Sequence, residues 1–513
     1  ETITLTETGA NTGVFTASVT LNDTAVPSAG NGTLELVSGD RITAFYTDPA
    51  GDFGAAENKR AQAFYAKTVL AGRTLIGDTI WGTSDSPYLV TGDITVDTGV
   101  TLVIQAGVKV LFLANSDDQS SGQRLSDSEL LVKGTLSVLG TAEAPVVLSS
   151  SNADAAAGDW GGIYLNQDAD LTLVYAHLSY TGYGINSIQY IDSVEITHSR
   201  IEFSGGGIYL YDSYDSTSTR VITDNVISVG GGNEALNVSV CCQSDAPIPN
   251  LSRNVITNTQ GGGIYFANAR QGSVVDANII KSKNNGLMLV SLGGTISVVG
   301  NTVENTDTST NYWQKGFGIQ FSSPRPPASS DDAITSIAIK NNVIKNFGGN
   351  GSLIFNGSGT TITSLIAGNT ITGAYARGMY VESVQGTNIS GNTVTGSIDA
   401  GVYMENAVPA VFKDNVITGN GTTTNQPGLY ISHNNAELSE SFLIEDNDLS
   451  GNHIGIELRQ FANVVIKGND LSGSTTYGLN NLTTNAIDAR YNYWGLVETT
   501  TLDEGGHPKA LSF

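Results

Sequence analysis

The chain has 513 residues, of which 24 are basic and 49 acidic, so its formal net charge is −25. Such a charge repels phosphate backbones and anionic lipids, which argues against nucleic acid and anionic membranes as partners. The 60 glycines, the scarcity of methionine and the lack of apolar residues at helical spacing predict short strands and turns almost throughout. No apolar run is long enough to predict a membrane span, and the lack of a basic, apolar leader predicts a processed or partial chain.

The first 56 residues alternate apolar and polar side chains around Gly/Asn turns, which predicts part of a β-sandwich. Segments 6–15 and 39–48 resemble the C-terminal half of the immunoglobulin-like repeats of large bacterial surface proteins. The resemblance implies an incomplete sandwich with an open sheet edge, so we expect either strands missing upstream or a strand from a neighbouring chain. Segment 57–79 is the least strand-like, and we predict a linker or N-terminal cap that forms a short helix or a cap strand.

One motif recurs about every 23 residues from residue 176 to 492: an Asn before a β-branched pair, then a Gly that opens a second short strand. Asn254-Val-Ile precedes Gly263-Ile-Tyr-Phe, and Asn392-Thr-Val precedes Gly401-Val-Tyr-Met. A fixed period of this length indicates a solenoid of stacked repeats. We expect each Gly to be a turn residue in a conformation that other residues resist. The asparagines should stack at a turn as a structural ladder, which comprises Asn225, Asn254, Asn278, Asn301, Asn342, Asn369, Asn392, Asn415, Asn447, Asn469 and Asn492.

Three further motifs, SPYLVTGDITV, DWGGIYL and DARYNYWG, accompany the repeated coils. Together they resemble right-handed parallel β-helix proteins of the pectate-lyase-like superfamily. The resemblance implies an all-β fold in which residues 80–495 form a right-handed parallel β-helix of about 16 coils, about 75 to 80 Å long. Residues 496–513 would be a C-terminal cap or tail. Because this fold carries lyases, hydrolases, epimerases, adhesins and passive stalks, it implies no particular activity.

The third residue of each Gly-Ile-x-Leu strand should point outward, because successive side chains of a strand alternate between its faces. The sequence therefore predicts one outward stripe, made of Tyr164, Tyr209, Tyr265, Met288, Gln320, Tyr380, Tyr403, Tyr430, Glu457 and Asn480. Such a stripe is either structural, with neighbouring rings packed on each other, or a platform for sugars. The candidate ligand-binding residues are Tyr209, Tyr265, Trp313, Tyr380, Glu382, Tyr403, Glu405 and Tyr430, with Trp313 in an insertion over 305–332.

Catalytic residues are harder to assign from the sequence. A glycosidase needs two carboxylates across the scissile bond, and a uronate lyase needs a base with a cation or Arg. No pair among the candidate acids stands out, and the arginines are single, so no catalytic residue is assigned; these residues are Asp212, Asp215, Glu382, Glu405, Glu457, Arg270, Arg377 and Arg459. The five histidines show no metal-ligand spacing, so no metal or cofactor is predicted; calcium has no supporting motif beyond the loop pair Asp117-Asp118.

The two cysteines, Cys241 and Cys242, are adjacent. Three states stay open: a strained vicinal disulfide, two thiols on opposite faces of a strand, and a bond to another chain. A redox or metal role is disfavoured because the chain has no further cysteine.

The favoured interpretation is an extracellular, cell-surface β-helix that acts as a structural, adhesive or glycan-binding protein. Its expected partners are copies of itself, a larger surface protein or a polysaccharide. In one variant the incomplete N-terminal domain accepts a strand from the next subunit and so builds a fibre. The alternative is a carbohydrate-active enzyme, a polysaccharide lyase or glycoside hydrolase, that works on the tyrosine-lined face.

Overall fold

The computed structural model describes residues 1–10, 12, 14–24, 26–48, 55–211, 219–239, 248–268, 272–290, 294–311, 314–322, 334–357, 363–433, 442–460 and 464–495. This part of the chain contains strands and turns and no helix. Three long parallel sheets form a right-handed β-helix, as predicted.

Successive coils add strands in the order sheet 1, sheet 2, sheet 3, and the last two coils have no sheet-1 strand among the described residues. Sheet 1 has fourteen strands, which are β7 Thr68–Leu70, β10 Tyr88–Val90, β13 Lys109–Phe112, β16 Val146–Ser150, β19 Ala176–Ser179, β22 Arg200–Ser204, β25 Val226–Val229, β28 Val255–Asn258, β31 Ile279–Ser282, β34 Thr302–Asn305, β37 Val343–Lys345, β40 Thr370–Thr372, β43 Thr393–Thr395 and β46 Val416–Thr418.

Sheet 2 has sixteen strands, which are β8 Arg73–Leu75, β11 Ile94–Val96, β14 Glu129–Val132, β17 Gly162–Leu165, β20 Ile185–Ser187, β23 Ile208–Tyr211, β26 Leu236–Ser239, β29 Ile264–Ala267, β32 Leu287–Val290, β35 Ile319–Ser322, β38 Leu353–Asn356, β41 Met379–Glu382, β44 Val402–Glu405, β47 Pro427–Ser432, β49 Ile454–Arg459 and β51 Tyr477–Asn481.

Sheet 3 has fifteen strands, which are β9 Thr79–Trp81, β12 Thr101–Gln105, β15 Thr135–Leu139, β18 Asp170–Val174, β21 Val194–Thr197, β24 Arg220–Thr223, β27 Pro249–Ser252, β30 Val274–Asp276, β33 Gly294–Val299, β36 Ile334–Lys340, β39 Thr363–Ala367, β42 Asn388–Ser390, β45 Val411–Lys413, β48 Phe442–Glu445 and β50 Val464–Lys467.

Strand alternation builds the core. In β29 the side chains of Ile264 and Phe266 are buried, whereas Tyr265 between them is half-buried on the outer face. The same pattern in every coil produces one apolar column inside the three sheets, from Trp81 to Leu479. Because each layer covers the next, no coil could bury its apolar face alone.

The N-terminal segment forms three separate strand pairs. Strands β1 Thr6–Glu7 and β2 Phe15–Thr16 are antiparallel, and β3 Thr20–Asp23 and β4 Thr33–Leu36 are parallel. Strands β5 Arg41–Asp48 and β6 Glu57–Phe64 form an antiparallel hairpin, and Arg60 of β6 makes an ion pair with Asp154 of the solenoid. The likeness to immunoglobulin-like repeats stays a prediction.

Two predicted boundaries shift. The segment 57–79, expected to be a linker or cap, contains β6, which pairs with β5 along its full length. It also contains β7, β8 and β9, the first strands of the three sheets. The solenoid thus begins at Thr68, before the predicted start at Ile80. Its first three strands have three residues each and contain few apolar residues, so they do not stand out in the sequence.

The turn between sheets 3 and 1 contains the asparagine ladder. All eleven predicted asparagines are linked in order, each Nδ2 donating to the Oδ1 of the next at 2.8 to 3.0 Å. The residue before each one has a left-handed backbone, for example Asp224 (φ 62°) and Gly391 (φ 62°). A second, shorter ladder that the sequence did not predict joins Asn420 to Asn452 at 3.2 Å.

The recurrent glycines have another role than predicted. Gly263, Gly378 and Gly401 do not have a left-handed backbone, so the expectation of a special turn conformation is wrong for them. A Cβ at Gly378 would lie 2.3 Å from Val394 Cγ1, and one at Gly401 would lie 2.6 Å from Ile417 Cγ2. Glycine is needed there because a core side chain from the following sheet-1 strand occupies the space of a Cβ.

Candidate functional site

The outward face of sheet 2 carries the predicted stripe in one continuous register. All ten predicted residues, from Tyr164 to Asn480, are aligned as Cα partners along this column. Three coils that lack the motif add Asn186, Asn237 and Ile354 to the same column. The stripe is therefore divided into segments, which the sequence motif alone did not reveal.

Its longest aromatic segment, here called the tyrosine cluster, comprises Tyr380, Tyr403 and Tyr430 with the carboxylates of Glu382 and Glu405. The ring centroids of Tyr380 and Tyr403 are 5.6 Å apart, and those of Tyr403 and Tyr430 are 4.2 Å apart with planes inclined by 10°. The Tyr403 and Tyr430 rings are stacked, and the Tyr380 ring is tilted by 54° against that of Tyr403, so the inner ring faces are occupied by neighbours. The cluster therefore presents ring edges and hydroxyl groups, unlike the open aromatic platform that the sequence suggested.

Carboxylates line one side of the rings. Glu382 and Glu405 are Cα partners on β41 and β44. Glu382 accepts a hydrogen bond from Asn356 Nδ2 at 2.8 Å, and Glu405 accepts one from the Tyr380 hydroxyl at 3.0 Å. Burial, together with the hydrogen bond to Glu405 and the charge of Glu382, raises the pKa of Tyr380 well above its usual value of 10.0. Burial likewise raises the pKa of Tyr403, to about 12. Both phenols therefore keep their protons at neutral pH.

Two arginines border the cluster. The Arg377 guanidinium lies 3.9 Å from the ring centroid of Tyr403 and 4.0 Å from Asp399. Arg459 Nε donates to Glu457 Oε1 at 2.9 Å, and its guanidinium lies 5.7 Å from the Tyr430 centroid. In sequence these arginines look isolated, but each adjoins a sheet-2 strand, and stacking of the coils brings them to one surface.

Two other predicted ligand-binding residues, Tyr209 and Tyr265, are not brought to the cluster. Tyr209 and Tyr265 lie in the same column, but Met288, Gln320 and Ile354 separate them from Tyr380. Tyr209 is only 9% exposed, and burial raises its pKa. Trp313, Cys241 and Cys242 lie outside the described residues, as do Asp212, Asp215 and Arg270.

No local sequence pattern indicates the buried acid pair, Glu129 and Asp93, near the N-terminal end of the solenoid. Glu129 begins β14, and its Oε2 accepts a hydrogen bond from the backbone N–H of Gln123 at 2.7 Å. Its Oε1 is buried without a partner among the described residues. Asp93 accepts from the Glu129 N–H at 2.9 Å and from the Ser121 hydroxyl at 2.7 Å. Burial, with a contribution from the Asp93 charge, raises the pKa of Glu129 to about 8.

This acid pair is not arranged as a metal site. No group of three or more His, Cys, Asp or Glu side chains in the described ranges is positioned to hold a metal ion. The described ranges also contain no helix long and apolar enough to cross a membrane.

The family model "right handed beta helix region" matches residues 148–325 and 327–493, and "pectate-lyase like beta helix domain" matches residues 75–220. No curated protein sequence matches the chain.

Two solved structures are similar at low identity. A mutant of the periplasmic alginate epimerase AlgG is 11% identical, with a TM-score of 0.37 over 90% of this chain and 95% of that one. The A-module of the Azotobacter vinelandii mannuronan C-5 epimerase AlgE6 is 14% identical, with a TM-score of 0.27 over 77% of this chain and 89% of that one. At these scores neither likeness bears on activity.

Proposed function

This chain belongs to the right-handed β-helix family, and on that scaffold we propose an extracellular, non-catalytic surface protein whose tyrosine cluster binds a polysaccharide. One observation carries the proposal: hydroxyl, carboxylate and guanidinium groups from successive coils converge on one face. Phenols and guanidinium groups donate hydrogen bonds and carboxylates accept them, which suits a ligand rich in hydroxyl groups.

The charges of the cluster favour an uncharged glycan. Four carboxylates, those of Glu382, Asp399, Glu405 and Glu457, surround two arginines, and both arginines already contact acids. An anionic polymer would meet net repulsion there, in addition to that of the whole chain. We therefore expect neutral polysaccharides to bind more tightly than polyuronates.

The protonation of Tyr380 argues against catalysis by this residue as a base. A general base works best with a pKa near the operating pH, whereas the pKa of Tyr380 is raised above 10.0. The enzyme alternative keeps one supporting observation, the adjacent carboxylates of Glu382 and Glu405. It predicts turnover of a glycan that is lost in Glu382→Gln or Glu405→Gln.

Calorimetric titration with neutral, amino and uronate polysaccharides, followed by product analysis, tests both functions. Replacing Tyr380, Tyr403 and Tyr430 together by Phe removes the hydroxyls but keeps the stacked rings, and we expect about a tenfold loss of affinity, or about 1.4 kcal/mol. Tyr265→Phe, in the same column but outside the cluster, is the matched control. Failure of every polymer to bind would remove the proposal, and turnover abolished by Glu382→Gln would replace it with the enzyme.

Two further parts of the proposal concern setting and assembly. The low lysine content, the many Asn, Ser and Thr residues and the long β architecture support an extracellular location. The strand pairs of the N-terminal segment support a role of that segment in joining subunits. A filament built in this way would present the tyrosine cluster repeatedly along a surface fibre.

A further inference from the structure

We infer that a second binding site, a cleft of about 410 Å³ beside β20 and β23, accepts a single neutral hexopyranose unit. Its lining comes from three consecutive coils and consists of Gln167, Ser187, Ile188, Gln189, Tyr190 and Tyr211. The volume lies within the range of small-ligand sites in proteins, roughly 300–1,000 Å³. None of these residues belongs to the tyrosine cluster.

The chemistry of the lining selects the ligand class. Tyr190 and Tyr211 are 45% and 47% exposed, so their rings offer apolar area to a ligand as well as hydroxyl groups. Gln167 and Gln189 bring amides that both donate and accept, which matches the hydroxyl groups of a sugar. Among the described residues, no charged side chain lines this cleft, although the chain has a net charge of −25. A charged ligand would lose hydration there without gaining an ionic partner.

Hydrogen bonds hold the walls of the cleft in place before any ligand arrives. Ser187 Oγ accepts from the Tyr211 N–H at 2.6 Å and donates to the Tyr211 carbonyl at 3.3 Å. The Ile188 N–H donates to the Leu165 carbonyl at 2.9 Å, and the Asp168 N–H donates to the Tyr190 carbonyl at 2.9 Å. Three neighbouring coils are thus tied together at this position, which lowers the entropy lost on binding.

A buried arginine supports the segment that carries Gln189 and Tyr190. Arg220 is 2% exposed, and its guanidinium donates to the carbonyls of Ile191, at 2.8 Å, and of Asp192. Arg220 therefore holds the backbone of Ile191 and Asp192, which directly follow Tyr190, from the core side. Arg220 occupies an inward strand position between Val194 and Pro249 of sheet 3, where an apolar residue would be usual. Its presence there gives the cleft a rigid base.

The cleft is separate from the tyrosine cluster. Six steps along sheet 2 lead from β23 to β41, or about 29 Å at roughly 4.8 Å per strand. A monosaccharide cannot reach both sites, whereas a long glycan can occupy them together and gain affinity from the second contact. Sugar binding in the cleft does not depend on the function proposed for the cluster.

The test uses the full chain with methyl glucoside, methyl galactoside and N-acetylglucosamine as probes, and saturation-transfer NMR with calorimetric titration as the measurement. At least one probe should bind, with an affinity at least tenfold weaker in Tyr190→Ala and in Gln189→Ala. Tyr265→Phe, which lies outside both the cleft and the cluster, should bind it like the wild type, and glucuronate should bind more weakly than the neutral sugars.

The inference is overturned if no probe binds, or if loss follows Tyr380→Phe and not the cleft variants. Gln167→Ala is a second exposed substitution that should weaken binding without affecting the core, and unchanged melting temperatures exclude misfolding. Polysaccharide binding lost only in the Tyr-to-Phe cluster variant, with no monosaccharide bound, would support the cluster and overturn the cleft. Monosaccharide binding lost only in the cleft variants, with no polysaccharide bound, would support the cleft and overturn the function proposed for the cluster.

Discussion

At the scale of single residues, the asparagine ladder depends on one side chain that both donates and accepts. Asn369 Nδ2 donates to Asn392 Oδ1 at 2.9 Å and to the Ile339 carbonyl at 2.9 Å, while its Oδ1 accepts from Asn342. Serine cannot replace all of these contacts. At Ser199, where the ladder ends, the hydroxyl turns to the Thr197 carbonyl.

Replacing Asn369 by Ala should destabilise the protein by about 2–4 kcal/mol, because buried donors and acceptors on both neighbouring coils lose their partner. Urea denaturation measures the change. Asn388→Ala, on the solvent-facing side of β42, is the control and should change stability by less than about 0.5 kcal/mol. Equal losses in the two variants would mean that the ladder is not a source of stability.

At the scale of elements, the segment before β14 is folded over the first coils of sheet 2. Arg124 of this segment pairs with Asp127 and lies near the ring of Tyr183. Beneath it, Tyr164 of the stripe is only 3% exposed. A residue that sequence alternation assigns to the outer face is therefore buried by a neighbouring loop.

Glu129 should make stability fall as the pH rises from about 4.5 to about 8. Its pKa is raised from 4.5 to about 8 in the folded chain, so in this window the unfolded chain has released a proton that the folded chain retains. Within this window the free energy of unfolding should fall by about 1.4 kcal/mol per pH unit, and this dependence should vanish above about pH 8.

The Glu129→Gln variant tests this expectation by thermal unfolding at a series of pH values. The difference in stability between variant and wild type should move in favour of the variant between pH 4.5 and 8, while the exposed Glu143→Gln should run parallel to the wild type. Asp93, Arg124 and Tyr164 interact electrostatically with Glu129; Asp117 and Asp118 act on Asp93, and Asp127 acts on Arg124 and Tyr164. A pH-independent difference would show that Glu129 does not titrate in this range.

At the scale of the whole molecule, the sixteen strands of sheet 2, at about 4.8 Å each, give a solenoid about 77 Å long. The Trp494 side chain packs over Gly478 in the last coil. At the other end, β7, β8 and β9 are the terminal strands of their sheets in the described part of the chain.

Native material examined by electron microscopy should contain filaments if the N-terminal segment joins subunits. Deleting residues 1–20 should then leave isolated rods with the same melting transition, because the core begins only at Trp81. Added salt should favour assembly by screening the repulsion between subunits of charge −25. Polymerisation of the truncated chain would contradict the strand-exchange model, and isolated rods from the intact chain would contradict the fibre itself.

The fold, the ladder and the order of the stripe follow from the sequence, because a repeat of about 23 residues imposes the same contacts in every coil. Strand alternation likewise identifies the core residues in the sequence, such as Ile264 and Phe266 of β29. Contacts between coils depend on register and on insertions. The folded structure was therefore needed to show that Arg377 lies against Tyr403, that a loop buries Tyr164 and that the Tyr403 and Tyr430 rings stack. The Glu129 and Asp93 pair and the cleft at Tyr190 also arise from residues of different coils, whose proximity no local pattern encodes.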